Sequence, residues 1–305
     1  MIEKSFTIHK ILEDVMKKLT AIMMLFVAAI AFAGESSESV VVSGFGQIKI
    51  DSSGFTIPKI RVILCGPLET GIKGLKVSYV TYTEFDKDGK PELGFAQINF
   101  QLPKEWLPKI IIGHTLDPTC YQFPGPHQLP ILNYPAALFS HPYGLGIFLQ
   151  ENWNGVWGMT GVTNGTAKFK DDNKSLDFTG RLSYNLPFGF TPGLVCWSGQ
   201  QLDGYRRISG GDLTWKHKLL WINGGQNIID YNGLRTGRWL FTTIDIHKYF
   251  QLVGLIESLK TEKTTTGWSA GVNFSPSTKS IIRLNLYKLA VNEKRGWGIL
   301  FQQKF

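Results

Sequence analysis

Residues 75–85 read LKVSYVTYTEF. In an extended chain, Leu75, Val77, Tyr79, Thr81, Thr83 and Phe85 share one face, while Lys76, Ser78, Tyr82 and Glu84 lie mainly on the other. A period of two means a strand with one apolar and one polar face. The alternation returns in AQINFQL (96–102), RLSYNL (181–186) and IIRLNLY (281–287). It returns again in GWGILFQQKF (296–305), where Trp297, Ile299, Phe301 and Phe305 oppose Gly298, Gln302 and Lys304. Past residue 33 no stretch approaches the ~20 apolar residues of a membrane helix, and no 3.6-residue period stands out.

Two architectures use such strands. A sandwich buries apolar faces against each other. A transmembrane barrel turns them to lipid and keeps the polar faces around a wet lumen, and it must close on itself because an unpaired edge in lipid leaves backbone groups unsatisfied. The spacing predicts about sixteen strands, near 40–51, 56–66, 72–85, 92–102, 109–116, 144–151, 154–163, 176–186, 191–200, 206–216, 218–228, 237–247, 249–259, 265–275, 280–290 and 296–305; fourteen to eighteen would fit. Short connections (GPLETG, NLPFGFTP, KHK, HKY, SPSTKS) alternate with longer ones, including 164–175, GQQLDGYRR, DYNGLRTG and a long third loop, 114–143. Trp106, Trp153, Phe188, Trp215, Tyr249 and Phe274 cluster beside the short turns, as an interfacial aromatic girdle would. The barrel is therefore the expected fold class: all-β, antiparallel, transmembrane.

The front end supports a membrane destination. MKKLTAIMMLFVAAIAFAG (16–34) has Lys17 and Lys18, then an apolar run, then Ala31-Phe32-Ala33. That is the pattern of a secretory signal, with a hydrophobic region too short to span. The expected organisation is a signal peptide over 1–33, with translation starting at Met16, and a barrel over 34–305. The latter is 305 − 33 = 272 residues, or 17 per strand with its connection.

Composition narrows the function. The chain is 43% hydrophobic and 18% charged with a net charge of +8, too apolar for disorder. Its basic residues are scattered, with no zinc-finger spacing or Arg-rich block, which argues against nucleic acid. Cys65, Cys120 and Cys196 make neither a disulfide framework nor a zinc site. No G-x-S-x-G, H-E-x-x-H or acidic cluster suggests an enzyme, a metal site or a cofactor.

From residue 55 on, several segments resemble the phosphate-selective porin O/P family. They are IPKIRVILCGPLETGIKGLKVSYVTYTEF, AQINFQLPKEWLPKIIIGHTLDP, GIFLQENWNGVWGMTGVTNG, LDFTGRLSYNLPFG and SGGDLTWKHKLLWINGGQ. The family's Gly-Gln-x-Lys-x-Pro-Phe exit into the third loop reads GHTLDPTCYQFPG here, keeping Gly113 and Pro118 with His114 at the glutamine position. The resemblance implies a sixteen-stranded homotrimeric outer-membrane porin whose third loop folds into the lumen. It also implies that the final aromatic strand (Trp297, Phe301, Phe305) is the signal read by the barrel assembly machinery.

With polar faces inward, Lys49, Lys59, Arg61, Lys76, Arg181, Lys216 and Arg283 meet water, alongside Asp51, Glu84, Asp212 and Asp245. Inward Lys and Arg favour anions, whereas on the lipid face a charge costs ~2–4 kcal/mol at the midplane. The third loop holds six prolines and many apolar side chains, so it is expected to fold inward and narrow the pore, with His114, Tyr121, His127 and Tyr134 at the constriction. The expectation is a channel for passive diffusion of small hydrophilic anionic or neutral solutes, phosphate included, with both termini periplasmic. The competing reading is a non-conducting structural or adhesion barrel.

Overall fold

The computed structural model describes residues 40–51, 54–85, 90–104, 106–122, 135–138, 143–164, 175–201, 204–231 and 233–305. The expected signal segment 1–33, with Met16, lies outside them. Sixteen strands are found among the described residues: β1 (Val41–Asp51), β2 (Gly54–Leu68), β3 (Lys76–Phe85), β4 (Pro91–Gln101), β5 (Lys109–Leu116), β6 (Tyr143–Trp153), β7 (Val156–Thr163), β8 (Asp177–Tyr184), β9 (Phe190–Gln201), β10 (Gly204–His217), β11 (Leu220–Asp230), β12 (Leu234–His247), β13 (Phe250–Lys260), β14 (Thr264–Phe274), β15 (Ser280–Lys288) and β16 (Arg295–Lys304). Each pairs antiparallel with its sequence neighbour, and β1 pairs with β16, so the sheet is a closed barrel. Two 3-10 turns, Pro118–Gln122 and Ala136–Leu138, interrupt the β5–β6 connection.

Local chemistry explains the turns at the end where β1 begins and β16 finishes. The β6–β7 hairpin turns on Asn154-Gly155, both at positive φ (47° and 82°), as a two-residue turn matching strand twist requires. At the opposite end the structure corrects two expected loops. GQQLDGYRR is almost wholly strand, with β9 and β10 joined across residues 202–203, and most of DYNGLRTG belongs to β11 and β12. Those strands extend beyond the apolar band, where outward side chains are polar, so their composition resembles loop.

Directly opposed residues share a face of the sheet, so the register carries inside and outside around the barrel. Phe45 opposes Arg61, Arg61 opposes Glu84, and Ser78 opposes Asn99. Asn223 opposes Phe241, Glu257 opposes Gly267, and Arg283 opposes Leu300. This face points inward and encloses Asn227, Asn285 and Gln302, each 0% exposed. The other face presents Leu194 (65%), Ile256 (63%), Leu240, Leu284 and Leu286 to the surroundings. A closed sheet that is apolar outside and polar inside satisfies its own backbone and suits hydrocarbon rather than water.

The inner face is not uniformly polar, however. Trp239, Phe241, Val253 and Leu255 point inward and bury Ala137 and Leu138 among themselves. Strand β13 therefore reads apolar on both faces. Its inner side is a seat for Ala137 and Leu138 of the β5–β6 connection, which period-two reasoning does not anticipate.

Candidate functional site

The register places all seven anticipated cations on the inward face, but the structure divides them. Lys49 pairs with Asp51 at 2.8 Å and Lys59 with Glu84 at 2.7 Å. Arg61 also binds Glu84, its Nε donating at 2.7 Å, and its guanidinium lies over the Tyr82 and Phe45 rings at 3.9 and 5.2 Å. Arg181 forms a two-point bridge to Asp212, at 2.5 and 2.9 Å. Gly193 makes that bridge possible: a Cβ there would lie 2.5 Å from Arg181 Nη2. Arg61 and Arg181 are thus buried, compensated wall residues.

Lys76, Lys216 and Arg283 have no carboxylate at ion-pair distance among the described residues. Arg283 donates to Gln302 Oε1 at 3.2 Å, and Gln47 Nε2 donates to the same oxygen at 2.9 Å. Nearby, Asn273 donates to Gln251 (2.9 Å), which donates to Asp245 (2.7 Å). These bonds make two polar runs, one across β1, β16 and β15 and one across β14, β13 and β12, which adjoin at the register pair Arg283 and Asn273.

Sequence reasoning missed three inward cations, Lys109, Arg206 and Arg235, the last opposite the inward Ile229. Lys109 shares the face of Asn99 through Ile111, and its signal was its place two residues before Ile111 at the start of β5. Lys73, Lys76 and Lys109 line a hollow of about 870 Å³ with Ser78, Asn99, Gln101 and Glu69, at the end of the barrel where β1 begins and β16 finishes. Arg206 lies over Trp197 at 5.5 Å, within electrostatic reach of Asp117 and Asp177.

The described parts of the β5–β6 connection lie against this inner wall. Asp117 is 1% exposed and accepts from the Thr119 amide (2.9 Å), the Thr119 hydroxyl (2.6 Å) and the Thr179 hydroxyl of β8 (2.9 Å). Burial outweighs these bonds and pushes its carboxyl up to about 6. Gln122 and Asn227 exchange amide hydrogen bonds at 3.0 and 2.8 Å, and Asn227 also donates to the Leu138 carbonyl at 2.6 Å. The Glu257 carboxylate accepts from the Ala137 amide at 3.1 Å, and from the amides of Ala136 and Ala290. It therefore ties the β5–β6 and β15–β16 connections to one wall position. Gly237 is the floor: a Cβ would meet the Ala137 carbonyl oxygen at 2.1 Å.

Of the expected constriction residues, Tyr121 packs on the inward Trp157, with ring centroids 5.1 Å apart, and stays 42% exposed. His127 and Tyr134 lie outside the described residues. His114 departs from expectation. Strand pairing runs through it to Leu116, opposite Ala96 and Leu145, so it belongs to the wall. It sits on the other face from Thr115, whose hydroxyl bonds the inward Gln97, and it is 4% exposed.

Trp297, Phe301 and Phe305 face outward, in line with the alternation. Phe301 opposes Ile282 and Ile48. Phe305 exchanges backbone hydrogen bonds with Gly44, at 3.1 and 3.3 Å, and its ring covers that glycine. At this end the outward aromatics form a ring. Phe190 stacks on Trp215 (5.8 Å), Phe250 contacts Phe274 (4.9 Å), and Trp106, Trp153 and Phe188 stand exposed.

No protein-family model matches the chain, and no curated protein matches it. Solved structures do. One is a loop-deletion mutant of OmpT, an outer membrane protein of Vibrio cholerae (TM-score 0.69, 10% identity, covering 88% of this chain and 100% of that one). Another is an anion-selective porin from Comamonas acidovorans (0.66, 11%, 88% and 100%). A third is OmpF of Salmonella typhi in complex with daunomycin (0.66, 6%, 88% and 97%). At such identities the likeness speaks to the fold, a sixteen-stranded porin-type barrel.

Proposed function

We propose that this chain forms a water-filled outer-membrane channel for passive diffusion of small hydrophilic solutes, with a mild preference for anions, phosphate included. The observation that carries this is the division of the inward cations. Lys49, Lys59, Arg61 and Arg181 are paired with carboxylates, Lys59 and Arg61 sharing Glu84, whereas Lys76, Lys216 and Arg283 carry charge without an acidic partner among the described residues. Uncompensated cations on a lumen wall lower the electrostatic cost of anion entry. The fold shared with solved porins supports the channel reading, and the anion selectivity of the Comamonas acidovorans porin is consistent with the charge argument.

Within this reading residues 1–33 direct export. Both termini face the periplasm, three copies assemble, and the β5–β6 connection anchored by Asp117, Asn227 and Glu257 narrows the pore. Reversal potentials across planar bilayers under a salt gradient test it. Anion selectivity that falls in a K76Q/K216Q/R283Q variant is the expected result. Cation selectivity of the native chain overturns the charge argument. An absence of conductance steps overturns the channel in favour of a structural barrel. Inhibition of chloride current by millimolar phosphate is the expected sign of phosphate use.

A further inference from the structure

We infer that the outward face of β10–β16, at the end away from Phe305, binds the phosphate-bearing headgroups of membrane lipids that carry a net negative charge. This extends the membrane reading above and is independent of whether the channel conducts. Arg207, Arg238, Lys260, Lys288 and Arg295 all lie on outward register positions at that end: Arg207 opposes Ser198, Arg238 opposes Ser258, Lys260 opposes Thr264, and Lys288 opposes both Trp268 and Arg295. Four of them, Arg207, Arg238, Lys260 and Arg295, are exposed.

Their height fits an interface. Counting along each strand, Arg207 stands opposite the aromatic end at Trp215, Lys260 opposite Phe250, and Arg295 opposite Phe305, with outward apolar residues such as Leu213, Leu252, Ile256 and Ile299 between. Strands of this length, tilted as in barrels, cover an apolar band of about 25 Å. Cations at one edge and aromatics at the other mark its two boundaries. The outward positions near the same end of β6–β9 carry Leu145, Ile147, Val162, Phe178 and Ser198, and no cation among the described residues. The charge is confined to one arc.

The arrangement costs something that folding alone does not return. Lys288 and Arg295 are direct cross-strand partners, and like charges so placed repel. Glu293 relieves Lys288 at 2.5 Å, and Asp230 opposes Arg207 in register. Arg238 commits its Nε to Gln226 at 2.7 Å, which leaves the outer edge of its guanidinium for a further acceptor. The surplus is positive, sits above hydrocarbon, and matches a row of lipid phosphates; basic clusters at a membrane surface are drawn to such headgroups.

Native mass spectrometry of the full chain in neutral detergent tests this, with phosphatidylglycerol as probe and phosphatidylcholine as control. Preferential retention of phosphatidylglycerol is expected. It should weaken about tenfold in an R207Q/R238Q/K260Q/R295Q variant with single-channel behaviour unchanged, and weaken with added salt in the native chain. Equal retention of the two lipids overturns the assignment. So does a variant that retains phosphatidylglycerol like the native chain, or loss of retention in K76Q/K216Q, whose charges face the lumen. Displacement of the lipid by millimolar inorganic phosphate overturns the lipid as occupant and assigns the arc to free anions.

Discussion

Arg181 and Lys216 face the same lumen, and a count of charges treats them alike, yet their surroundings give them different work. Arg181 sits 8% exposed against Asp212 at 7%, joined by two hydrogen bonds. Removing one partner of a buried pair leaves an uncompensated charge, which costs about 3 kcal/mol. Arg181→Gln is therefore expected to lower the unfolding midpoint clearly and to change selectivity little beyond that. Lys216→Gln should move the midpoint negligibly, since an unpaired surface-like charge is worth within about 0.5 kcal/mol, and should shift the reversal potential toward cations. Thermal unfolding followed by circular dichroism, set beside bilayer recordings of both variants, checks the split. The parity of each cation was legible in the alternation around it. Its pairing was not, because Asp212 is 31 residues from Arg181 and meets it only after β8, β9 and β10 take their register.

At the scale of elements, strand existence followed from period two, and the mistakes have physical causes. Outward polar residues at strand ends made β9–β10 and β11–β12 read as longer loops. The inward apolar residues of β12–β13 lacked a partner until Ala137 and Leu138 arrived from the β5–β6 connection. That connection carries a titratable anchor. Burial raises the Asp117 carboxyl to about 6, above its ordinary 3.8. A carboxyl raised in the folded state favours the protonated form there, so its stabilising contribution is complete below pH ~4 and is lost as pH rises through ~6. The full swing is on the order of 3 kcal/mol. Protonated Asp117 still keeps its partners, because the Thr119 and Thr179 hydroxyls accept as well as donate. The connection should therefore be held more firmly at pH 5 than at pH 7.5. Proteolysis within residues 117–142 should slow as pH falls across that range, and Asp117→Asn should flatten the dependence. An equal slope in both proteins would refute the anchor's titration.

For the whole molecule, everything depends on closure, and closure rests on one seam. Strands β1 and β16 pair from Phe45↔Lys304 to Asp51↔Gly298, and the Phe305 backbone adds two bonds to Gly44 beyond the last ladder pair. The Phe305 ring lies where a Gly44 side chain would be, with ring atoms 2.6 and 2.8 Å from a Cβ built there. Gly44 and Phe305 are complementary in shape, and the ring stands in the outward aromatic row where an interfacial ring is favoured. That Trp297, Phe301 and Phe305 share the outward face was readable from spacing alone. That Phe305 fits a glycine near the opposite end of the barrel sequence was not, because nothing local in either segment encodes the other. Phe305→Ala keeps every backbone bond of the seam and removes only the ring. The expected outcome is a several-fold fall in the heat-resistant folded fraction on refolding into detergent, since the last strand loses its registration against β1. Barrels that do close should conduct as the native chain does, because Phe305 faces away from the lumen. Phe301→Ala, further back along the same face and opposite Ile48, is the control. If it lowers the folded fraction as much as Phe305→Ala, the effect belongs to outward aromatics in general and the seam contact carries none of it.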